Sequence, residues 1–227
     1  MKSPPRFAIP SWAPADATTA SRLTLDTSAY LIKWQNVQAT VPLPCGARFV
    51  DNLANATSKG FDMGFQFKAT DRLALEGAVG YNDATFDQDA TSPSGAKVIY
   101  NGGSSIPNAD PPWMVSLSTE YTRPLAAGYR GYARADYTYS TEWRRFGVTD
   151  PGTPSYDPRR KPTPAYSVLN IRLGTQFDAF DVSLFVQNLT DAAPDLYLYS
   201  DPYYDPQDWH DITLRPRTYG VTVAWRR

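Results

Sequence analysis

The stretch 214–227, LRPRTYGVTVAWRR, constrains the fold more than any other part of the chain. Over Thr218–Trp225, one side of the extended backbone carries only apolar residues, namely Tyr219, Val221, Val223 and Trp225. The other side carries small or polar residues, and such period-two alternation indicates a β-strand. A soluble sheet turns its apolar face to a core, whereas a transmembrane barrel turns it to lipid and its polar face to the lumen. This stretch alone fits both architectures.

The same alternation recurs upstream in seven further segments. They are 23–34, 59–69, 73–81, 113–121, 128–140, 166–176 and 181–189. The sequence therefore predicts about eight antiparallel strands. Residues 1–20 are rich in proline and alanine and show no clear period, so we expect them to be irregular.

The connections between these segments alternate in length. Short ones lie near 70–72, 122–127 and 177–180, and long ones near 36–57, 84–111, 142–164 and 190–213. Outer-membrane barrels combine short periplasmic turns with long extracellular loops in this way. Long structureless loops inside a compact soluble domain would instead be unusual.

Charged residues occupy the middle of the predicted strands on their polar side. They are Asp26, Glu76, Glu120, Arg134, Asp136 and Arg172. Because unpaired charges are costly in a packed core, this distribution favours a hydrated lumen. We therefore predict an all-β fold, an antiparallel transmembrane β-barrel segment of about eight strands with short periplasmic turns and long extracellular loops.

Composition excludes several other classes of protein. No apolar run approaches the ~20 residues of a membrane-spanning helix, and the N-terminus lacks the apolar core of a signal peptide. A formal charge of −1 argues against nucleic acid as a partner. Cys45 is the only cysteine, and neither a phosphate loop nor a nucleophile elbow is present, so we expect no enzyme activity, no catalytic residues and no cofactor.

Three stretches resemble the C-terminal barrel of TonB-dependent outer-membrane receptors. They are Leu23–Met63, Val182–Asp191 (VSLFVQNLTD) and Pro216–Trp225 (PRTYGVTVAW), in the order in which the family has them. The resemblance implies that 21–227 is the C-terminal part of the barrel domain, a section of a 22-stranded wall around a plug. Arg227 departs from the family, which usually ends on an aromatic residue.

The same resemblance implies a location and a set of partners. The location would be the bacterial outer membrane, with lipid and lipopolysaccharide around the barrel. The TonB complex would supply energy through an N-terminal plug that this sequence does not contain. The ligand would be bulky and scarce, such as a ferric siderophore, a cobalamin or an oligosaccharide.

An alternative interpretation is a self-contained eight-stranded barrel with a structural or adhesive role. Eight strands suffice to close a small barrel whose interior is filled by side chains. The two interpretations differ in what precedes the chain: an independent barrel needs an export signal, whereas a receptor needs an upstream plug in the same reading frame.

Two of the long connections carry candidate ligand-contact residues. The basic connection holds Trp143, Arg144 and Arg145, and the aromatic one holds Tyr203, Tyr204 and Trp209. Guanidinium groups suit anionic chelates, and aromatic rings stack on sugars or aromatic ligands. The aromatic residues also fit an interfacial belt, and the basic ones fit lipopolysaccharide phosphates or plain solvation.

Two further features invite functional readings that we do not adopt. His210 lies between Asp208 and Asp211, but one imidazole without a second histidine or cysteine is a poor basis for a metal or catalytic site, and none is predicted. Asn55-Ala-Thr57 and Asn188-Leu-Thr190 fit the glycosylation pattern. We interpret both as turn chemistry.

Overall fold

A computed structural model describes residues 22–42, 48–91, 98–106, 111–143, 161–200 and 209–225, together with 152, 156 and 158. These residues contain no helix of the length and apolarity that crossing a membrane requires. The strands are β1 (Leu23–Pro42), β2 (Arg48–Thr70), β3 (Leu73–Phe86), β4 (Ala90–Thr91), β5 (Val98–Tyr100), β6 (Trp113–Pro124), β7 (Arg130–Ser140), β8 (Tyr166–Phe177), β9 (Phe180–Gln187), β10 (Tyr197–Ser200), β11 (Trp209–Ile212) and β12 (Thr218–Trp225).

Eight of these strands form one antiparallel sheet in the order β1-β2-β3-β6-β7-β8-β9-β12. These eight strands correspond to the eight predicted segments, and neighbours in the sheet are also neighbours in that series. The predicted fold class and strand order are therefore confirmed. The short turns are also found where expected, at 71–72, at the 3-10 helix Ala126–Gly128 and at 178–179. Two small hairpins, β4–β5 and β10–β11, lie inside long connections and were not predicted.

The prediction of a loop at 36–57 is wrong. β1 continues to Pro42, and its last residue pairs with Arg48 at the start of β2. The register shifts between Trp34 and Val37, where Asn36 has a φ of 56° and its N–H donates to Asn55 Oδ1 at 3.2 Å. Such a β-bulge breaks the period of two while the strands remain paired. Asn55 therefore lies inside β2, and its predicted role in a turn is also wrong.

The register keeps one set of apolar residues on the same face of all eight strands. One row across this face runs through Leu25, Phe65, Gly77, Leu117, Tyr137 and Leu169. At the far edge of the sheet Leu184, Val221 and Val223 are each more than 60% exposed. Such an apolar band suits contact with lipid.

Aromatic groups mark both ends of this apolar face. Toward the long connections, the rings of Phe61, Tyr81 and Trp113 lie within 6.1 Å of one another, centroid to centroid. Toward the short turns, Phe177 lies 5.5 Å from Tyr129 and 5.8 Å from Phe180. Transmembrane barrels carry such aromatic girdles at both membrane surfaces.

Four aromatic rings lie over the glycine that faces them on the neighbouring strand. These aromatic–glycine pairs are Tyr30–Gly60, Phe65–Gly77, Tyr132–Gly174 and Phe185–Gly220. A Cβ atom on Gly174 would lie 2.5 Å from Tyr132 Cζ, and one on Gly220 would overlap the Phe185 ring. The rings can lie flat against the sheet because glycine leaves the space of a side chain empty.

Beyond the apolar band, toward the long connections, β2 and β3 support a small buried core. Its members are Ala54, Ala56, Ala84, Phe86, Ala90, Ile99, Tyr100 and Ile106. The rings of Phe86 and Tyr100 stack at 5.3 Å with an interplanar angle of 8°, and burial raises the pKa of the Tyr100 phenol. The connection predicted at 84–111 is therefore, where described, a packed body that includes β4 and β5.

Candidate functional site

The face opposite the apolar one carries a polar network centred on Arg134. Register places Arg134 beside Glu120 and places Asp136 beside Ser118. Arg134 Nη2 donates to Asp136 Oδ1 at 2.8 Å, and its Nη1 lies 3.6 Å from Glu120 Oε2. Ser118 Oγ donates to the same Asp136 oxygen at 2.6 Å. Paired and half-exposed, these charges fit a water-filled lumen.

The network continues onto β8 and β9. Arg172 Nη1 donates to Ser183 Oγ at 3.0 Å, and the Arg172 guanidinium carbon lies 5.4 Å from the centre of the Phe185 ring. Toward the short turns, the Tyr132 hydroxyl donates to Asp181 at 2.9 Å. The mid-strand charges that the sequence places on one side therefore occupy a common inner face.

Two open depressions lie along this inner face. The first has a volume of about 380 Å³, and its polar lining includes Thr24, Asp26, Gln66, Glu76 and Ser118. The second, about 560 Å³, lies nearer the long connections, and its lining includes Asp62, Gly80, Met114, Thr138 and Tyr166. No group of three or more metal-binding side chains occurs among the described residues.

Two of the residues predicted to contact ligand, Trp143 and Trp209, lie in the long connections beyond this face. Trp143 is half-buried, and its backbone exchanges two hydrogen bonds with Thr163, at 2.9 and 2.8 Å. Trp209 is the first residue of β11, where its backbone pairs with Ser200. The other four, Arg144, Arg145, Tyr203 and Tyr204, lie outside the described residues.

The two connections that carry these residues meet at Thr163. This residue is 8% exposed, and its Oγ1 donates to the carbonyl oxygen of Leu196 at 3.3 Å. Leu196 in turn donates its N–H to Ile212 O at 2.8 Å, which closes the base of the β10–β11 hairpin. Trp143 and this hairpin are therefore linked through a single buried threonine.

Asn188 anchors the connection that follows β9. Its Nδ2 donates to the carbonyls of Ala192 and Arg215, both at 2.9 Å, and its Oδ1 accepts the Ala192 N–H at 2.9 Å. Asn188 and Asp191 have φ values of 51° and 56°, in the left-handed region that asparagine and aspartate tolerate. The predicted turn at Asn188 is thus found, and it also holds the segment that leads into β12.

A pair of carboxyl groups lies at the base of the β10–β11 hairpin. The pKa of the Asp211 carboxyl is raised, first by desolvation and then by the hydrogen bond and the negative charge of Asp195. The carboxylate repulsion weakens as pH falls through this raised pKa, so acid favours the closed base of the hairpin. Sequence reasoning missed this pair because its two members are sixteen positions apart.

A comparison with known protein families identifies the family of this chain. The family model described as TonB dependent receptor-like, beta-barrel matches residues 16–189. The chain belongs to this family. TonB-dependent receptors are outer-membrane β-barrel proteins of Gram-negative bacteria. The family comprises transport receptors rather than enzymes.

Solved structures of other receptors share the fold of this TonB-dependent receptor section. The ferric yersiniabactin uptake receptor FyuA from Yersinia pestis is 16% identical, with a TM-score of 0.66 over 90% of this chain and 28% of that one. The ferric-catecholate import receptor Fiu from K12 E. coli is 18% identical, with a TM-score of 0.60 over 90% and 25%. BauA, the ferric preacinetobactin receptor from Acinetobacter baumannii, is 16% identical, with a TM-score of 0.58 over 91% and 28%.

The chain spans little more than a quarter of the length of these receptors. At such identities the likeness establishes the fold alone. No curated protein sequence matches the chain. The division into an irregular segment 1–20 and a barrel portion 21–227 stays a prediction.

The membrane topology of this receptor section can be tested by epitope insertion. An epitope inserted near Pro154, in a long connection, should be reached by antibody on intact cells that carry the complete receptor. One inserted near Ala126, in the short turn between β6 and β7, should be reached only after the outer membrane is permeabilised. The opposite labelling pattern would overturn the orientation.

Proposed function

We propose that this chain forms the C-terminal section of the barrel wall in a receptor for energy-coupled uptake of a bulky, scarce ligand. Candidate ligands are a ferric siderophore, a cobalamin or an oligosaccharide. The supporting observation is the eight-stranded sheet, apolar on one face and lined with hydrogen-bonded charges on the other. The similar solved receptors include several for ferric chelates, which favours a siderophore among these ligands.

Energy would come from the TonB complex through a plug domain enclosed by the complete wall. Lipid and lipopolysaccharide would surround the apolar face outside. The test is uptake of ferric siderophores, cobalamin and oligosaccharides by receptor-deleted cells that carry the complete receptor. Uptake of one ligand that stops when TonB is deleted would support the proposal. Uptake of none, or uptake independent of TonB, would contradict it.

Ligand contact is proposed at the rim, by Trp143, Arg144, Arg145, Tyr203, Tyr204 and Trp209. The contact between Thr163 and Leu196 supports this grouping, because it joins the bases of the two connections that carry these residues. Arginine forks would bind carboxylates or phenolates of an anionic chelate, and aromatic rings would stack on its flat groups.

Alanine at Tyr203, Tyr204 and Trp209 together should lower the affinity of uptake while the barrel still folds. The expected loss follows from removing three aromatic contact surfaces, each worth about 0.5–1.5 kcal/mol beyond buried area. Uptake kinetics and heat-modifiability on gels would measure the two properties. Tyr156→Ala is the matched control, since Tyr156 is an exposed loop tyrosine outside the proposed set. Unchanged uptake by the triple variant would support the aromatic-belt interpretation instead.

The alternative, a self-contained eight-stranded barrel, has no observation in its favour. Within the described sheet, β1 and β12 are the two edge strands and do not pair with each other.

A further inference from the structure

Two arginines lie directly opposite each other on the inner face, Arg134 on β7 and Arg172 on β8. Their surroundings differ. The charge of Arg134 is compensated by Glu120 and Asp136, with which it makes salt bridges at 3.6 and 2.8 Å. Arg172 makes one hydrogen bond, to Ser183, and no salt bridge among the residues that the structure describes. Most of its five N–H donors therefore make no hydrogen bond to the residues that the structure describes.

Arg172 is nevertheless held in place. Ser183, which accepts its hydrogen bond, is only 2% exposed. The ring of Phe185 lies beneath the guanidinium group at 5.4 Å, and that ring is itself seated over Gly220 on β12. A long side chain fixed in this way has already lost much of the freedom that binding would otherwise cost.

The carboxylates closest to Arg134 lie on one side of Arg172. Asp136 and Glu120 face Arg134 on β7 and β6, and Glu76 lies further along, on β3. On the opposite side, toward β9 and β12, the cross-strand neighbours of Arg172 are Phe185 and then Gly220, which carry no charge. The one carboxylate of β9, Asp181, lies nearer the short turns, where it pairs with Gln176 and accepts hydrogen bonds from Tyr132 and Gln176. Directly across from Arg172 the positive charge is therefore uncompensated.

We propose that Arg172 is a carboxylate-binding position in the lumen of the receptor. A guanidinium fork with free N–H groups matches the two oxygens of a carboxylate, and one pre-positioned on a wet inner face can form both bonds at once. The carboxylate would come from a ligand in transit or from the plug domain. This inference rests on the proposed function in one respect: a ligand in transit and a plug domain are both features of a transport receptor.

Arginine modification by phenylglyoxal tests the position in the complete purified receptor. Rates at individual arginines would be read by peptide mass mapping, with citrate as the carboxylate probe and sodium chloride at equal ionic strength as the reference. We expect citrate to slow modification of Arg172 severalfold while the rate at Arg123, an exposed arginine near the short-turn end of β6, stays unchanged. That result would identify a site open to ligand.

A second arm distinguishes the source of the carboxylate. If Arg172 resists modification in the complete receptor, and becomes reactive and citrate-protected once carboxylates of the plug are replaced by amides in the otherwise complete receptor, the plug supplies the carboxylate. Modification of Arg172 that citrate does not slow, or resistance in both forms, would overturn the proposal. Because the measurement does not use uptake, failure of this site and failure of the proposed transport are seen separately.

Discussion

Replacing Gly60 by alanine is expected to lower the amount of folded receptor in the outer membrane. A Cβ atom at this position would overlap the backbone carbonyl oxygen of Tyr81 and lie 2.6 Å from the Tyr30 hydroxyl. The tyrosine can rotate away, but the carbonyl belongs to a paired strand and cannot move without breaking the β2–β3 register. Overpacking of this kind costs about 1–3 kcal/mol or more. Outer-membrane abundance and heat-modifiability of the complete receptor would measure the loss.

Gly64→Ala is the matched control for this prediction. Gly64 lies on the same strand and face, four residues further on, and the nearest atom to a Cβ there is Gly77 O at 4.0 Å. The control variant should fold normally. Adding Tyr30→Ala to Gly60→Ala should restore little, because the Tyr81 carbonyl remains. Equal folding of the Gly60 and Gly64 variants would show that the close approach between β2 and β3 is not rigid.

Residues 1–227 expressed alone behind an export signal are expected to give no energy-dependent uptake. The described sheet has two edges, β1 and β12, each a row of unpaired backbone groups that lipid cannot satisfy. Eight strands could close only with tighter curvature and a different stagger, since strand number, tilt and shear are linked. The resulting lumen would be filled by side chains rather than open to a bulky ligand.

Uptake by a receptor-deleted strain measures this outcome, with the complete receptor in the same strain as the positive control. Immunodetection in the outer-membrane fraction would show whether the shorter chain is present. Energy-dependent uptake restored by residues 1–227 would disprove the proposal that these strands are a section of a larger wall.

The sheet could be predicted from sequence because lipid and water impose a period of two on every spanning strand. On β6, for example, the apolar Val115 and Leu117 alternate with the polar Ser116 and Ser118. The boundaries of β1 and β2 could not be predicted, because the bulge at Asn36 breaks that period. The core around Ile99 was missed since its strands are only two and three residues long.

The polar inner face could be predicted as a whole, but its contacts could not. Mid-strand charges indicate a lumen, whereas the compensation of Arg134 by Glu120 depends on cross-strand register. The link between Thr163 and Leu196 joins segments that no pattern relates. Asn188 and Asn55 begin the same three-residue motif, yet Asn188 forms a turn and Asn55 lies in a strand. The conformation of the motif is set by its hydrogen-bond partners elsewhere in the fold, which the motif itself does not specify.

The aromatic–glycine pairs have a consequence for how this family can evolve. Each ring occupies the space above a glycine that lies 12 to 42 positions away in the sequence, as between Phe65 and Gly77 or Tyr132 and Gly174. At the Tyr132–Gly174 and Phe185–Gly220 pairs the nearest atoms to an added Cβ all belong to the aromatic side chain. A mutation at either position of such a pair leaves a collision or an empty slot, whereas a paired exchange leaves neither. In an alignment of relatives, the two columns should therefore co-vary, with the glycine lost only where the ring has already been replaced.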